Sequence, residues 1–136
     1  MKGFSYSQYT KFSRMAIVIS ACCLGTSCGG PRRAGPVDAE KARQAFKVVL
    51  DSWKGGESLS DFRKRSPSIT VQDMDWLAGI KLVTYEFSGN ERLDAANLHC
   101  SVKLLLRDAE GRETEKDVTY VIGTDPVTTV FREMMM

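Results

Sequence analysis

The sequence predicts an α+β domain, and three observations carry the prediction. Apolar residues fall at helical spacing between Asp38 and Trp53, the apolar period drops to two from Ile80 onward, and short turn-rich segments separate the later stretches. Helices first and strands after them belong to the α+β class, with the helices covering one apolar sheet face. The expected architecture is an N-terminal helix plus one short helix, packed on a four-stranded, mainly antiparallel sheet.

The first helix opens at Asp38, a good N-cap, with Glu40 in its first turn. Ala42, Ala45, Phe46, Val49, Leu50 and Trp53 make one apolar stripe, and Lys41, Arg43, Lys47, Asp51 and Lys54 populate the other side. Gly55-Gly56 ends it as a C-cap pair. Trp53 on the stripe is expected to plug the core rather than to form a ligand platform. A shorter helix is expected within Glu57–Ser66, capped by Ser58 or Ser60, with Leu59 and Phe62 facing inward and Pro67 after its end. Arg63-Lys64-Arg65 reads as a solvated charged face.

Ser68–Val71 reads as a short strand, and Gln72–Gly79 as a turn or single helical turn with Asp73 as cap. Strands follow at about Ile80–Phe87, Asn97–Arg107, Glu113–Ile122 and Val127–Arg132. Ser88-Gly89-Asn90, Asp108–Gly111 and Gly123–Pro126 are the expected connections, short enough to make neighbours antiparallel. Alternation assigns Leu98, Cys100, Val102, Leu104 and Leu106 to one face, with His99, Ser101, Lys103 and Arg107 on the other. Val118, Tyr120 and Ile122 are the inward set of the next strand, and Val83, Tyr85 and Phe87 that of the first long one. This order of elements, from Asp38 to Glu133, resembles the cone-shaped nuclear-transport-factor-like and cystatin-like domains. The fold hosts both enzymes and binding modules, so the resemblance implies no activity.

Upstream of the domain the chain carries an export signal. Lys2, Lys11 and Arg14 precede the apolar run Met15–Gly25, and small residues follow it. Cys22, Cys23 and Cys28 lie at its end. The pattern resembles a bacterial lipoprotein signal, which implies cleavage before a cysteine that becomes the diacylated mature N-terminus. Leu24-Gly-Thr-Ser-Cys28 leaves an apolar run of ample length and is the preferred site. Ile19-Ser-Ala-Cys22 matches the local pattern but leaves a short run, and it stays as the alternative. The apolar run is too short to span a bilayer. Two acyl chains suffice for stable anchoring where one does not. The expected organisation is therefore a signal peptide over 1–27, a Gly/Pro/Arg tether over 28–36 and a single domain over 37–136.

Export changes the charge. Three of the 19 basic residues precede Cys28 and none of the 17 acidic ones does, so the formal charge moves from +2 to −1. A near-neutral domain offers no electrostatic case for nucleic acid. Cys100 would be the single thiol left in the folded part, which removes an internal disulfide as a source of stability.

Candidate chemistry is sparse. His99, the only histidine, alternates onto the polar face beside Lys103, and Cys100 next to it must point the opposite way, so the two cannot form a dyad. One histidine with one domain cysteine makes a zinc site untenable in a monomer. Asp73 and Asp75 lack the register of a calcium loop and suit capping instead. No nucleophile motif, phosphate loop or nucleotide fingerprint is present. The sequence therefore assigns no catalytic residue, metal or cofactor. It points to a membrane-anchored, noncatalytic envelope domain that binds a protein or small ligand. The alternatives are a small cone-fold enzyme or carrier, with Asp73, Trp76, Tyr85 and Tyr120 lining a pocket between helix and sheet, or a secreted soluble protein without lipid.

Overall fold

The computed structural model describes Gly29, Gly30 and residues 32–134. The signal segment and the candidate acylation sites Cys22 and Cys28 lie outside the described residues. Helix α1 (Ala39–Lys54) begins where the Asp38 carboxylate accepts the Lys41 N–H, and it buries the whole predicted stripe from Ala42 to Trp53. It ends at Gly55, whose N–H reaches the Asp51 carbonyl, and Gly56 turns the chain away at φ 87°. Helix α2 (Leu59–Arg65) is capped by Ser58, whose hydroxyl accepts the Asp61 N–H, and it buries Leu59 and Phe62. Strand β1 (Ile69–Gln72) leads into α3 (Met74–Leu77), a single turn capped by Asp73. Four strands complete the chain: β2 (Lys81–Leu93), β3 (Asn97–Arg107), β4 (Glu113–Gly123) and β5 (Thr128–Arg132).

These strands form one sheet in the order β1-β5-β4-β3-β2. The α+β class stands, but the sheet has five strands and is mixed, where four antiparallel ones were expected. The fifth is the short Ser68–Val71 segment, shifted by one residue. It runs parallel to β5, with Val71 opposite Val130. Its period-two signal spans too few residues to reveal a partner, and a parallel pairing joins segments far apart in sequence.

Strand β2 also departs from expectation. Ser88-Gly89-Asn90 is not a turn but an irregularity inside a longer strand, lying between the pairs Phe87–Val102 and Glu91–Cys100. Gly89 has φ 73°, a conformation open to glycine, and this lets the strand bulge and continue to Leu93. The chain then reverses through Asp94-Ala95-Ala96. A second bulge falls at Val83, between the pairs Leu82–Leu106 and Thr84–Leu105. The inward set of β2 is therefore Leu82, Tyr85 and Phe87 rather than Val83, Tyr85 and Phe87, because one extra residue shifts the alternation by one.

The predicted faces of β3 and β4 hold. Leu98, Cys100, Val102, Leu104 and Leu106 are buried, and Tyr120 and Ile122 lie beside them through the pairs Cys100–Tyr120 and Leu98–Ile122. Helix α1 packs on this face, against β2 and β5 in particular. Rings organise the interior. Phe46 lies 4.8 Å from Tyr120 and 5.7 Å from Phe87, while Trp53 stacks on Trp76 at 5.6 Å. Both indoles find carbonyl acceptors, Trp53 at Ile80 and Trp76 at Glu57, each at 2.8 Å. Trp53 is thus a core plug, as its place on the stripe predicts.

Candidate functional site

Beside the apolar core, the same sheet face carries a polar cluster. Asp73 caps α3 by accepting the Trp76 N–H at 2.9 Å, and its second oxygen accepts the Tyr120 hydroxyl. Two residues on, Asp75 accepts from Lys116 Nζ at 3.0 and 3.1 Å and from the Arg132 guanidinium. Arg132 also lies 3.7 Å from Asp73. The register explains the meeting: Tyr120 stands directly opposite Arg132 across β4 and β5, and Lys116 occupies the inward parity of β4 four residues before Tyr120.

Burial and charge set the protonation states. Burial alone raises the Asp75 carboxyl, but the bonds from Arg132 and Lys116 outweigh it and hold the group below the usual carboxylate range. Tyr120 is pushed well above a normal phenol, by burial first and by the Asp73 carboxylate second. Arg132 is raised despite burial that opposes its charge, through the hydrogen bond to Asp75 and the field of Asp73. Asp75 and Arg132 are thereby held charged and Tyr120 neutral, so none of the three is poised to exchange a proton near neutrality.

A cleft of about 680 Å³ opens over this cluster. Gln72, Met74 and Asp75 line it beside Lys116 and Val118 of β4 and Arg132 and Met134 at the end of the chain's last strand. Lys116 keeps 40% of its side chain exposed, whereas Asp75 keeps 15% and Asp73 only 1%. The cleft is therefore lined by charges of both signs, Asp75, Asp117 and Glu133 with Lys116 and Arg132, and by two methionine side chains. Such a surface can hold a small ligand or peptide segment by apolar contact and by hydrogen bonds from Lys116.

Of the four residues suggested as pocket lining, three come together and one does not. Asp73, Trp76 and Tyr120 are linked by hydrogen bonds, but each is at most 3% exposed and none lines this cleft; Trp76 instead lines a smaller pocket beside Trp53 and Leu59. Tyr85 lies on the other side of Phe46, two aromatic contacts away through Phe87. Its hydroxyl donates to Asp51 at 2.6 Å, and burial together with that carboxylate lifts it to about 12. Sequence reasoning missed Lys116 and Arg132. A signal was present, since each is a charged residue on the inward parity of its strand, two positions from Val118 and Val130.

The remaining candidates also find partners. His99 is only 13% exposed rather than solvated beside Lys103, because the extended β2 brings Arg92 opposite it and the following turn brings Asp94. Arg92 donates to Nδ1 at 3.2 Å and Nε2 donates to Asp94 at 2.8 Å. That bond, with the Ala96 and Asn97 N–H groups, lowers Asp94 to about 2. Cys100 is buried and free, and burial with nearby Glu91 lifts its thiol to about 11, far from a reactive thiolate. Arg63, Lys64 and Arg65 do not act as one patch: Arg63 donates to the Val71 carbonyl, Arg65 pairs with Glu57, and Lys64 lies 3.6 Å from Asp61. Among the described residues, no group of three His, Cys, Asp or Glu side chains is placed to hold a metal ion, and no helix is long and apolar enough to cross a membrane.

No protein-family model matches this chain, and comparison with curated proteins and with solved structures finds no match either.

Proposed function

We propose that the chain is an exported lipoprotein of the cell envelope, anchored through a diacylated Cys28, whose α+β domain binds a protein or small ligand rather than catalysing a reaction. The signal pattern of residues 1–28 and the Gly/Pro/Arg tether support the anchor. One observation supports binding over chemistry: beside the cleft both oxygens of Asp73 and of Asp75 already accept hydrogen bonds from neighbours. Those carboxylates are already engaged in holding α3, β4 and β5 together.

The size of the cleft favours a second reading, a small-ligand carrier related to the cone folds, with its occupant held against Lys116, Met74 and Met134. Intact-mass measurement of the mature protein tests the anchor. The expected product begins at Cys28 and carries the mass of two acyl chains on a glyceryl group. Cys28→Ala should abolish lipid labelling and membrane fractionation, and Cys22→Ala should leave both in place. Labelling that survives both substitutions rejects the lipoprotein reading.

A further inference from the structure

The tether enters the domain at one end of the sheet and is clamped there. The Gly35 N–H donates to Asp125 Oδ2 at 2.7 Å, the Val37 N–H to the Ala95 carbonyl at 3.3 Å, and the Asp38 N–H to Thr124 Oγ1 at 2.9 Å. Three backbone donors thus bind the β2–β3 turn and the β4–β5 loop. A Cβ on Gly35 would stand 3.0 Å from the Asp125 carboxylate, so a glycine permits this approach. From Gly35 onward the chain belongs to the domain.

Six residues separate Cys28 from Gly35, and the seven steps between them reach about 25 Å when fully extended. The opposite end of the sheet, at the Asp108–Gly111 turn, lies farther off than that, since β3 alone spans about 36 Å. The clamped end also exposes two large apolar side chains, one at the edge of each clamping segment. Leu93 is 57% exposed and Val127 54%. Arg32 and Arg33 lie exposed on the tether just before it. The carboxylates at this end are exposed but engaged: Asp38 caps α1, Asp125 holds Gly35, Asp94 holds His99 and two backbone N–H groups, and Glu40 and Glu91 both pair with Arg43.

We propose that this end of the domain docks on the bilayer surface, with Leu93 and Val127 entering the headgroup boundary and Arg32 and Arg33 meeting lipid phosphates. The proposal rests on the acylation of Cys28. Two aliphatic side chains would not hold a free domain on a membrane. Such a short tether changes this, because it presents the surface at an effective concentration on the order of millimolar. Basic residues beside an anionic leaflet add to the attraction. Docking also orients the cleft: Lys116 stands seven residues along β4 from Gly123, roughly 23 Å from the docked end, which leaves the cleft open to the aqueous side.

The test uses the full mature lipoprotein reconstituted in vesicles of phosphatidylethanolamine with a minority of phosphatidylglycerol, doped with spin-labelled lipid. Leu93→Cys, Val127→Cys and, at the far turn, Glu110→Cys are labelled singly with a small fluorophore, and buried Cys100 stays unlabelled. Quenching at positions 93 and 127 should exceed that at 110 by at least about twofold. Equal quenching at all three positions, in protein whose mass shows the acyl chains, overturns docking and leaves the anchor standing. A mature terminus without acyl chains overturns the anchor and docking together.

Discussion

The sheet face beneath α1 divides into two regions that share one surface and are held by opposite means. Under α1, Phe46 packs among Tyr120, Phe87 and the buried residues of β3, and side chains fill the space. Beyond it, toward α3 and the end of β5, Asp73, Asp75, Lys116 and Arg132 hold the elements together by ion pairs, and a cleft remains open. The first region derives its strength from area removed from water, the second from charges that satisfy one another at partial exposure. A surface covered by a helix needs apolar residues. A surface left accessible to a ligand needs polar ones that do not collapse, and the inward charges of β4 and β5 meet that need.

Four perturbations separate the regions. The largest effect is expected from Phe46→Ala, which opens a cavity beside the Tyr120 and Phe87 rings and should cost about 3–5 kcal/mol in denaturant unfolding. A loss under about 1 kcal/mol, by the same measure, would mean that the region under α1 is loosely packed. Asp75→Asn comes next. It leaves Arg132 with only the more distant Asp73 carboxylate and should cost about 2 kcal/mol, less than a fully buried pair because Asp73 remains and Lys116 is in part solvated.

The same substitution carries a pH signature. The folded-state pKa of Asp75 is depressed, so its stabilisation is complete above the ordinary carboxylate pKa of about 3.9 and is lost as pH falls through the folded value. The wild type should therefore lose more stability on acidification than Asp75→Asn does. Parallel acid limbs in the two proteins would show that the charge cluster does not form in solution.

Tyr120→Phe touches both regions at once. The ring stays against Phe46 while the bond to Asp73 is lost, so a cost of about 1–2 kcal/mol is expected, measured by thermal or denaturant unfolding. The smallest effect belongs to Asp38→Ala, which removes the α1 cap at the rim of the apolar region. A loss of about 1 kcal/mol with an unchanged denaturant slope is expected.

Much of the apolar region is legible in the amino-acid sequence. The α1 stripe, its cap and its glycine stop follow from local periodicity, and so do the inward residues of β3 and β4. The polar region is legible only in outline. Asp73 is readable as a cap, but its bond to Tyr120 joins residues 47 positions apart. The outward turn of Val83 is hidden because a bulge breaks the alternation on which the face assignment rests. Ser88-Gly89-Asn90 misleads because turn chemistry and bulge chemistry use the same residues.

What the amino-acid sequence determined by itself, then, was the set of local elements, the α+β class and the main core residues, since each depends on neighbours a few positions apart. The export signal was readable there too, as an expectation. Tertiary structure alone decided that β1 lies parallel to β5, that Lys116 and Arg132 converge on Asp75, and that the tether is clamped at Gly35. Each of these joins residues from 41 to 90 positions apart. No local pattern specifies such pairings, because they arise only when the packed elements leave one place for each charge and each free strand edge.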